Sequence, residues 1–203
     1  MESFVVSALK YRPTRFEGVV GQQAITQTLQ NALDTQQLAQ SLLFCGPRGV
    51  GKTSCARILA QEINSQNGNQ SEDFAFNVFE LDAASNNLVE DIRKINEQVR
   101  IPPQVGTHKV YIIDEVHMLT QSAFNAFLKT LEEPPKHAIF ILATTEKNKI
   151  IPTILSRCQV YDFKRISVLD IQQHLTKIAI QQELKFEDEA LLLIAQKADG
   201  ALR

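Results

Sequence analysis

Residues Ser41 to Thr53 read SLLFCGPRGVGKT. Leu42 to Cys45 form a short apolar run, Gly46 to Gly51 a glycine-rich turn, and Lys52-Thr53 open a helical pattern. This is G-x-x-x-x-G-K-[ST] in the context that gives it meaning: buried strand, tight turn, helix. Glycine reaches positive φ without a Cβ clash, so the chain can curl and aim its N–H groups inward. Those groups and the positive end of the helix make a socket for phosphate oxygens. Lys52 is expected to reach β- and γ-phosphates, and Thr53 to set its hydroxyl on Mg²⁺. The spacing therefore predicts a site for a nucleoside triphosphate, against the plainer alternative of an ordinary strand–turn–helix.

Working outward, strand-like runs recur at Asn77–Leu81, Lys109–Ile113, Ala138–Ala143 and Cys158–Phe163. Helical patterns lie between them at Gly21–Leu33, Gly51–Asn64, Leu88–Val99, Gln121–Glu133 and Ile151–Leu155. Near-continuous apolar strands alternating with helices predict an α/β fold with a parallel five-stranded sheet covered on both faces. After Phe163 the pattern changes to two helices, Val168–Glu183 and Asp188–Ala198. Ile171, Leu175, Ile178 and Ala179 share one face, and Leu191, Ile194, Ala195 and Ala198 another. Ser167 to Asp170 reads as a capping box with Asp at N3. A helix pair buries little alone, so residues 165–203 are expected to begin a longer helical unit after a core of residues 1–164. The polar stretch from Ser65 to Asp73 reads as a loop.

Composition narrows the classes. The chain has 203 residues and a net charge of −2, so it is not a polycation, and any nucleic-acid contact needs a local basic face or a partner. Its three cysteines, Cys45, Cys55 and Cys158, lack C-x-x-C spacing and predict a reducing compartment rather than a disulfide framework. The start lacks a signal-peptide apolar core, and nothing approaches the roughly 18 apolar residues of a membrane span, which together predict a cytoplasmic protein.

Three further features carry chemistry. Val110-Tyr111-Ile112-Ile113 runs into Asp114-Glu115, and carboxylates ending a buried strand ask for a cation or a proton-transfer role. Asp114 is expected to help hold Mg²⁺, and Glu115 to polarise an attacking water. The strand Ile139–Ala143 ends in Thr144-Thr145, where ligands bind in open α/β sheets. Arg157 stands at a helix-to-strand junction; it could serve a neighbour's γ-phosphate, or simply be a solvated surface arginine.

In order, GPRGVGKT, VYIIDEVH, ILATTE and LSRC resemble the AAA+ ATPases of the clamp-loader group. The longer phrases KYRPTRFEGVVGQ, FELDAASNN and KVYIIDEVHMLTQSAFNAFLKTLEEPP resemble, more specifically, the gamma/tau subunit family of bacterial DNA polymerase III. The resemblance covers nearly the whole chain, with residues 65–76 fitting poorly. It implies an AAA+ core followed by the start of a helical lid. It implies an ATPase within the polymerase holoenzyme that couples ATP turnover to loading of the sliding clamp on primed DNA; a nucleotide-binding scaffold without hydrolysis is the alternative.

By the same resemblance, Lys52 and Thr53 match Walker A, Asp114 and Glu115 Walker B, and Thr144 sensor 1. Arg157 matches an arginine finger acting on a neighbour's ATP. Tyr11, Arg12, Pro13, Val19 and Val20 match the segment that wraps the adenine and ribose. Gly46, Pro47, Arg48, Gly49, Val50, Gly51 and Ser54 complete the nucleotide contacts, and Arg203 matches the sensor 2 arginine. The implied cofactors are ATP and Mg²⁺, and the implied partners are other clamp-loader subunits, the clamp and primer–template DNA. An N-terminal fragment of such a protein is expected to be monomeric and to turn ATP over slowly. One departure stands out. The family's four-cysteine zinc module would begin where Ser65 stands, and residues 65–72 contain no cysteine, so no zinc is expected.

Overall fold

The computed structural model describes residues 6–65 and 77–202. Five strands form its sheet: β1 Ser41–Cys45, β2 Val78–Asp82, β3 Lys109–Asp114, β4 Ala138–Thr144 and β5 Gln159–Asp162. Eight α-helices accompany them among the described residues: α1 Ser7–Lys10, α2 Gln23–Asp34, α3 Lys52–Ser65, α4 Val89–Val99, α5 Gln121–Glu132, α6 Pro152–Leu155, α7 Val168–Gln181 and α8 Asp188–Lys197. The sheet is parallel throughout, in the order β2-β3-β4-β1-β5.

That order explains the apolar runs. β1 and β4 lie inside the sheet and are buried at every residue. Successive side chains of a strand point to opposite faces, so each strand feeds two cores. Leu42, Phe44, Val110, Ile112, Ile139 and Ile141 join a cluster with Leu29, Cys55, Ile58 and Leu59. Leu43, Cys45, Tyr111, Ile113, Phe140 and Leu142 join the other, with Ile92, Phe124 and Phe127. The edge strands β2 and β5 are mostly half-exposed or exposed.

Parallel strands send all their carboxyl ends to one side. Cys45 pairs with Thr144 and with Asp162, and Asp82 pairs with Asp114. The turn after β1 therefore opens beside the ends of β3, β4 and β5. Gly46 N–H donates to Thr144 O at 3.2 Å, and Phe163 N–H to Cys45 O at 2.7 Å. Gly46 has φ 148°, and a Cβ there would stand 2.4 Å from the Phe163 carbonyl oxygen, so no side chain fits.

Three sequence expectations shift. α2 begins at Gln23 rather than Gly21, because Gly21 has φ 71° and cannot be helical. On α8, Leu191 and Ala195 are buried but Ile194 is 53% exposed. α8 packs chiefly on α7, so only the narrow i, i+4 seam is covered. At the start of α7, Ser167 Oγ accepts from Asp170 N–H at 3.1 Å, but the Asp170 carboxylate takes the Ser167 hydroxyl at 2.7 Å instead of the backbone amide of a capping box. No helix among the described residues is long and apolar enough to cross a membrane.

Candidate functional site

The turn Gly46–Gly51 and the first turn of α3 make the floor of the site. Lys52 is buried, and its ammonium donates to Gly46 O and Pro47 O, both at 2.7 Å. It folds back over the turn. Burial holds the Lys52 pKa below its usual value, while Glu115 and Asp114 act against that shift. A cation held by backbone carbonyls in a glycine turn, facing carboxylates across it, suits a polyanion with its metal.

Thr53 Oγ1 donates to Asp114 Oδ2 at 2.7 Å, across 61 residues of sequence. Asp114 Oδ1 accepts Glu115 N–H at 2.9 Å. The end of β3 thus brings one hydroxyl and one carboxylate to a common point. Oxygen donors of this kind are what Mg²⁺ takes, usually with phosphates and water completing its shell, so these residues fit the metal the motif implies.

Glu115 sits at φ 48°, ψ 43°, the left-handed region where a side chain of this size is uncommon. That turn sends its carboxylate towards the end of β4. Glu115 Oε2 accepts from Thr145 N–H at 3.2 Å and Thr145 Oγ1 at 2.9 Å. Sequence reasoning singled out Thr144 here, but Thr144 is fully buried. Its hydroxyl accepts Glu146 N–H at 3.0 Å and meets His117 Nδ1 at 3.0 Å. Thr144 is the last residue of β4 and Thr145 the first beyond it, and their hydroxyls part there, one to His117 and the other to Glu115. Thr145 is the hydroxyl against Glu115.

The amino-terminal segment closes one side. Arg12 Nε donates to Ser54 Oγ at 3.1 Å. Tyr11 follows α1 and buries a hydroxyl with no hydrogen-bond partner among the described residues. Pro13 lies beside Gly18, and buried Val19 beside Gly51. Val20 packs instead with Ile166, Ile171 and Ala195. Arg48 is exposed, and Val50 buried. Arg203 lies outside the described residues; its neighbour Leu202 donates its N–H to Gly49 O at 3.0 Å, so the helical pair does reach the turn.

Gln22 was missed by sequence reasoning. It is 4% exposed, and its Nε2 donates to Lys164 O at 2.7 Å and Val50 O at 3.4 Å while its Oε1 accepts Lys164 N–H at 3.3 Å. One amide thus joins the turn to the linker before α7. Its sequence signal, a glutamine directly after a glycine, is too common to single out.

Arg157 is not part of this cluster. β5 runs parallel to β1 with Gln159 opposite Leu42, so Arg157 stands at the amino-terminal edge of the sheet. At about 3.3 Å per residue, the four steps from Leu42 to Gly46 alone span roughly 13 Å, and Arg157 lies two residues further back than Gln159. Its guanidinium bonds Glu132, Thr153 O at 2.7 Å and Ser156 Oγ at 3.2 Å.

The family follows from comparison with known proteins. Residues 21–167 match the family described as DNA polymerase III, delta subunit, and residues 170–203 the DNA polymerase III clamp loader subunit, ATPase lid domain. The chain belongs to the DNA polymerase III clamp-loader family. It is 50% identical to DNA polymerase III subunit tau of Bacillus subtilis, over 95% of this chain and 37% of that protein. It is 44% identical to subunit tau/gamma of Haemophilus influenzae, over 99% of this chain and 31% of that protein. The chain thus spans about a third of the length of these curated relatives. Among solved structures it resembles the Thermotoga maritima RuvB Holliday junction branch migration motor, with TM-score 0.71 and 21% identity over 94% of this chain and 61% of that one. Identity that low speaks to the fold alone.

Proposed function

We propose that this clamp-loader chain binds and hydrolyses ATP as a motor subunit of the sliding-clamp loader. The observation that carries the reading is the 2.7 Å hydrogen bond from Thr53 to Asp114, which joins the phosphate turn to the carboxylate end of β3. Lys52 and the N–H groups of Arg48 to Thr53 bind the phosphates. Thr53 and Asp114 hold Mg²⁺, which when bound neutralises charge that builds on the transferred phosphoryl group. Glu115 orients the attacking water and takes its proton. Thr145, with its hydroxyl against Glu115, takes the role expected of Thr144. Tyr11, Arg12, Pro13 and Val19 flank the base and ribose, and Arg203 answers the phosphates from the lid side.

Arg157 serves the ATP of a neighbouring subunit. Its place on the far edge of the sheet supports this, since it is too distant from its own chain's turn. The partners are accordingly other loader subunits, with the clamp and primer–template DNA engaged by the assembled ring. DNA is held through phosphates rather than bases. Residues 1–164 act as the core and 165–203 as the start of the lid, in a cytoplasmic protein. Zinc plays no part; of the residues 65–72 on which this rests, all but Ser65 lie outside the described ones, and stoichiometric zinc in purified protein by metal analysis would overturn it.

Titration with labelled nucleotides tests the main reading. ATP is expected to bind in preference to GTP and in a Mg²⁺-dependent way. Preferential GTP binding would overturn it. A dilute, isolated chain is expected to turn ATP over slowly, and fast turnover by a monomer would sink the trans role of Arg157.

A further inference from the structure

His117 lies in a short 3₁₀ turn, Val116–Met118, and its side chain is only 6% exposed. A buried imidazole needs partners for both ring nitrogens. Here Nδ1 meets Thr144 Oγ1 at 3.0 Å and stands 3.4 Å from Glu115 Oε2. Nε2 stands 3.4 Å from Glu146 Oε1. The ring is therefore wedged between the carboxylate after β3 and the turn after β4. Thr144, which it touches, is fully buried and cannot shift without moving the strand. Glu115 itself has a left-handed backbone, so its side chain depends on neighbours for its direction.

We propose that His117 is a positioning residue for Glu115, pinning Oε2 to the end of β4 so that Glu115 and the Thr145 hydroxyl keep a shared geometry towards the attacking water. This rests on the assignment of Glu115 as the water-activating base. The role differs from core packing in one respect. A packing residue is replaced by any side chain of similar volume, whereas this one needs a polar atom where Nδ1 stands. Asparagine supplies that atom, glutamine places its amide nearer the position of Nε2, and leucine supplies neither.

The test uses the full-length subunit assembled with its loader partners. His117→Leu and His117→Gln are expected to lower kcat roughly 10- to 100-fold, the scale of a small misplacement of a reacting group. Affinity for a fluorescent ATP analogue should stay within about twofold, because Lys52 and Thr53 are untouched. His117→Asn is expected to keep most of the rate. In nucleotide-free protein, the carboxyl ¹³C resonance of Glu115 should move in the Leu and Gln variants and stay close to its original position in Asn. In a Glu115→Gln background, His117→Leu should cost nothing further. An unimpaired Leu variant, an Asn variant as slow as Leu, or nucleotide affinity that falls in step with kcat would each overturn the proposal. If Leu does not fold, the Asn–Gln pair decides by the same criteria. Should Glu115→Gln hydrolyse ATP normally, the assignment of Glu115 fails first. Should Glu115→Gln be inactive and His117→Leu unimpaired, only the role of His117 falls.

Discussion

The carboxyl ends of the strands and the junction before β5 both carry residues assigned to ATP turnover, yet they are built differently. Around the turn Gly46–Gly51, Lys52 bonds the turn's own carbonyls, and Thr53, Asp114, Glu115 and Thr145 hold one another through bonds among buried or half-buried groups. At the junction, Arg157 is 29% exposed and pinned by Glu132 and two acceptors from its own helical turn. The first region is organised within one chain. The second presents a cation outward, where a neighbour's phosphates could compete with a single carboxylate. A composite site calls for this division: the cis half must be ready before assembly, and the trans half must remain available.

The strongest way to break that comparison is Arg157→Ala. In the assembled loader, turnover is expected to fall about a thousandfold or more. Nucleotide affinity of the isolated chain should not change, and a drop in that affinity would mean the two regions are not separate. Asp114→Asn probes the other side. Removing the charge that Thr53 and Mg²⁺ share should weaken Mg²⁺-dependent ATP binding by about 1.5–3 kcal/mol. Isothermal titration with and without Mg²⁺ reads the difference, and an equal loss in both conditions would count against the metal assignment.

Gln22→Ala sharpens the comparison by asking how firmly the turn is tied to the helical pair. It leaves the Lys164 amide and carbonyl without their buried partner, for an expected cost of about 1–3 kcal/mol in chemical denaturation. A change below a few tenths of a kcal/mol would show that the link adds nothing. The smallest effect concerns the thiols. Burial raises Cys45 to about 11, and Cys55 and Cys158 to about 12. Thiolate is the reactive form, so at pH 8 all three should react slowly with a disulfide reagent in native protein and readily after denaturation. Rapid labelling of Cys45 in the native state would contradict its place beneath the turn.

The strands were legible because four or five apolar residues bounded by turn residues have few other uses, and the phosphate turn because its glycines and Lys52-Thr53 serve one geometry. The choice between Thr144 and Thr145 was not legible. It hangs on how the chain turns as it leaves β4 after Thr144, which no local pattern records. Ile194 failed for a related reason, since periodicity marks a face without saying how much of it a neighbour covers.

By itself, then, the sequence determined the parallel α/β core and the glycine turn that opens α3, because short-range patterns carry those demands. Tertiary structure alone decided what lies far apart along the chain. It set the strand order that brings Asp114 to Thr53, the turn after β4 that gives Glu115 to Thr145, the wedge of His117 and the distance that takes Arg157 out of its own site. Such pairings depend on how strands stack and which way each side chain points, and no local pattern records either.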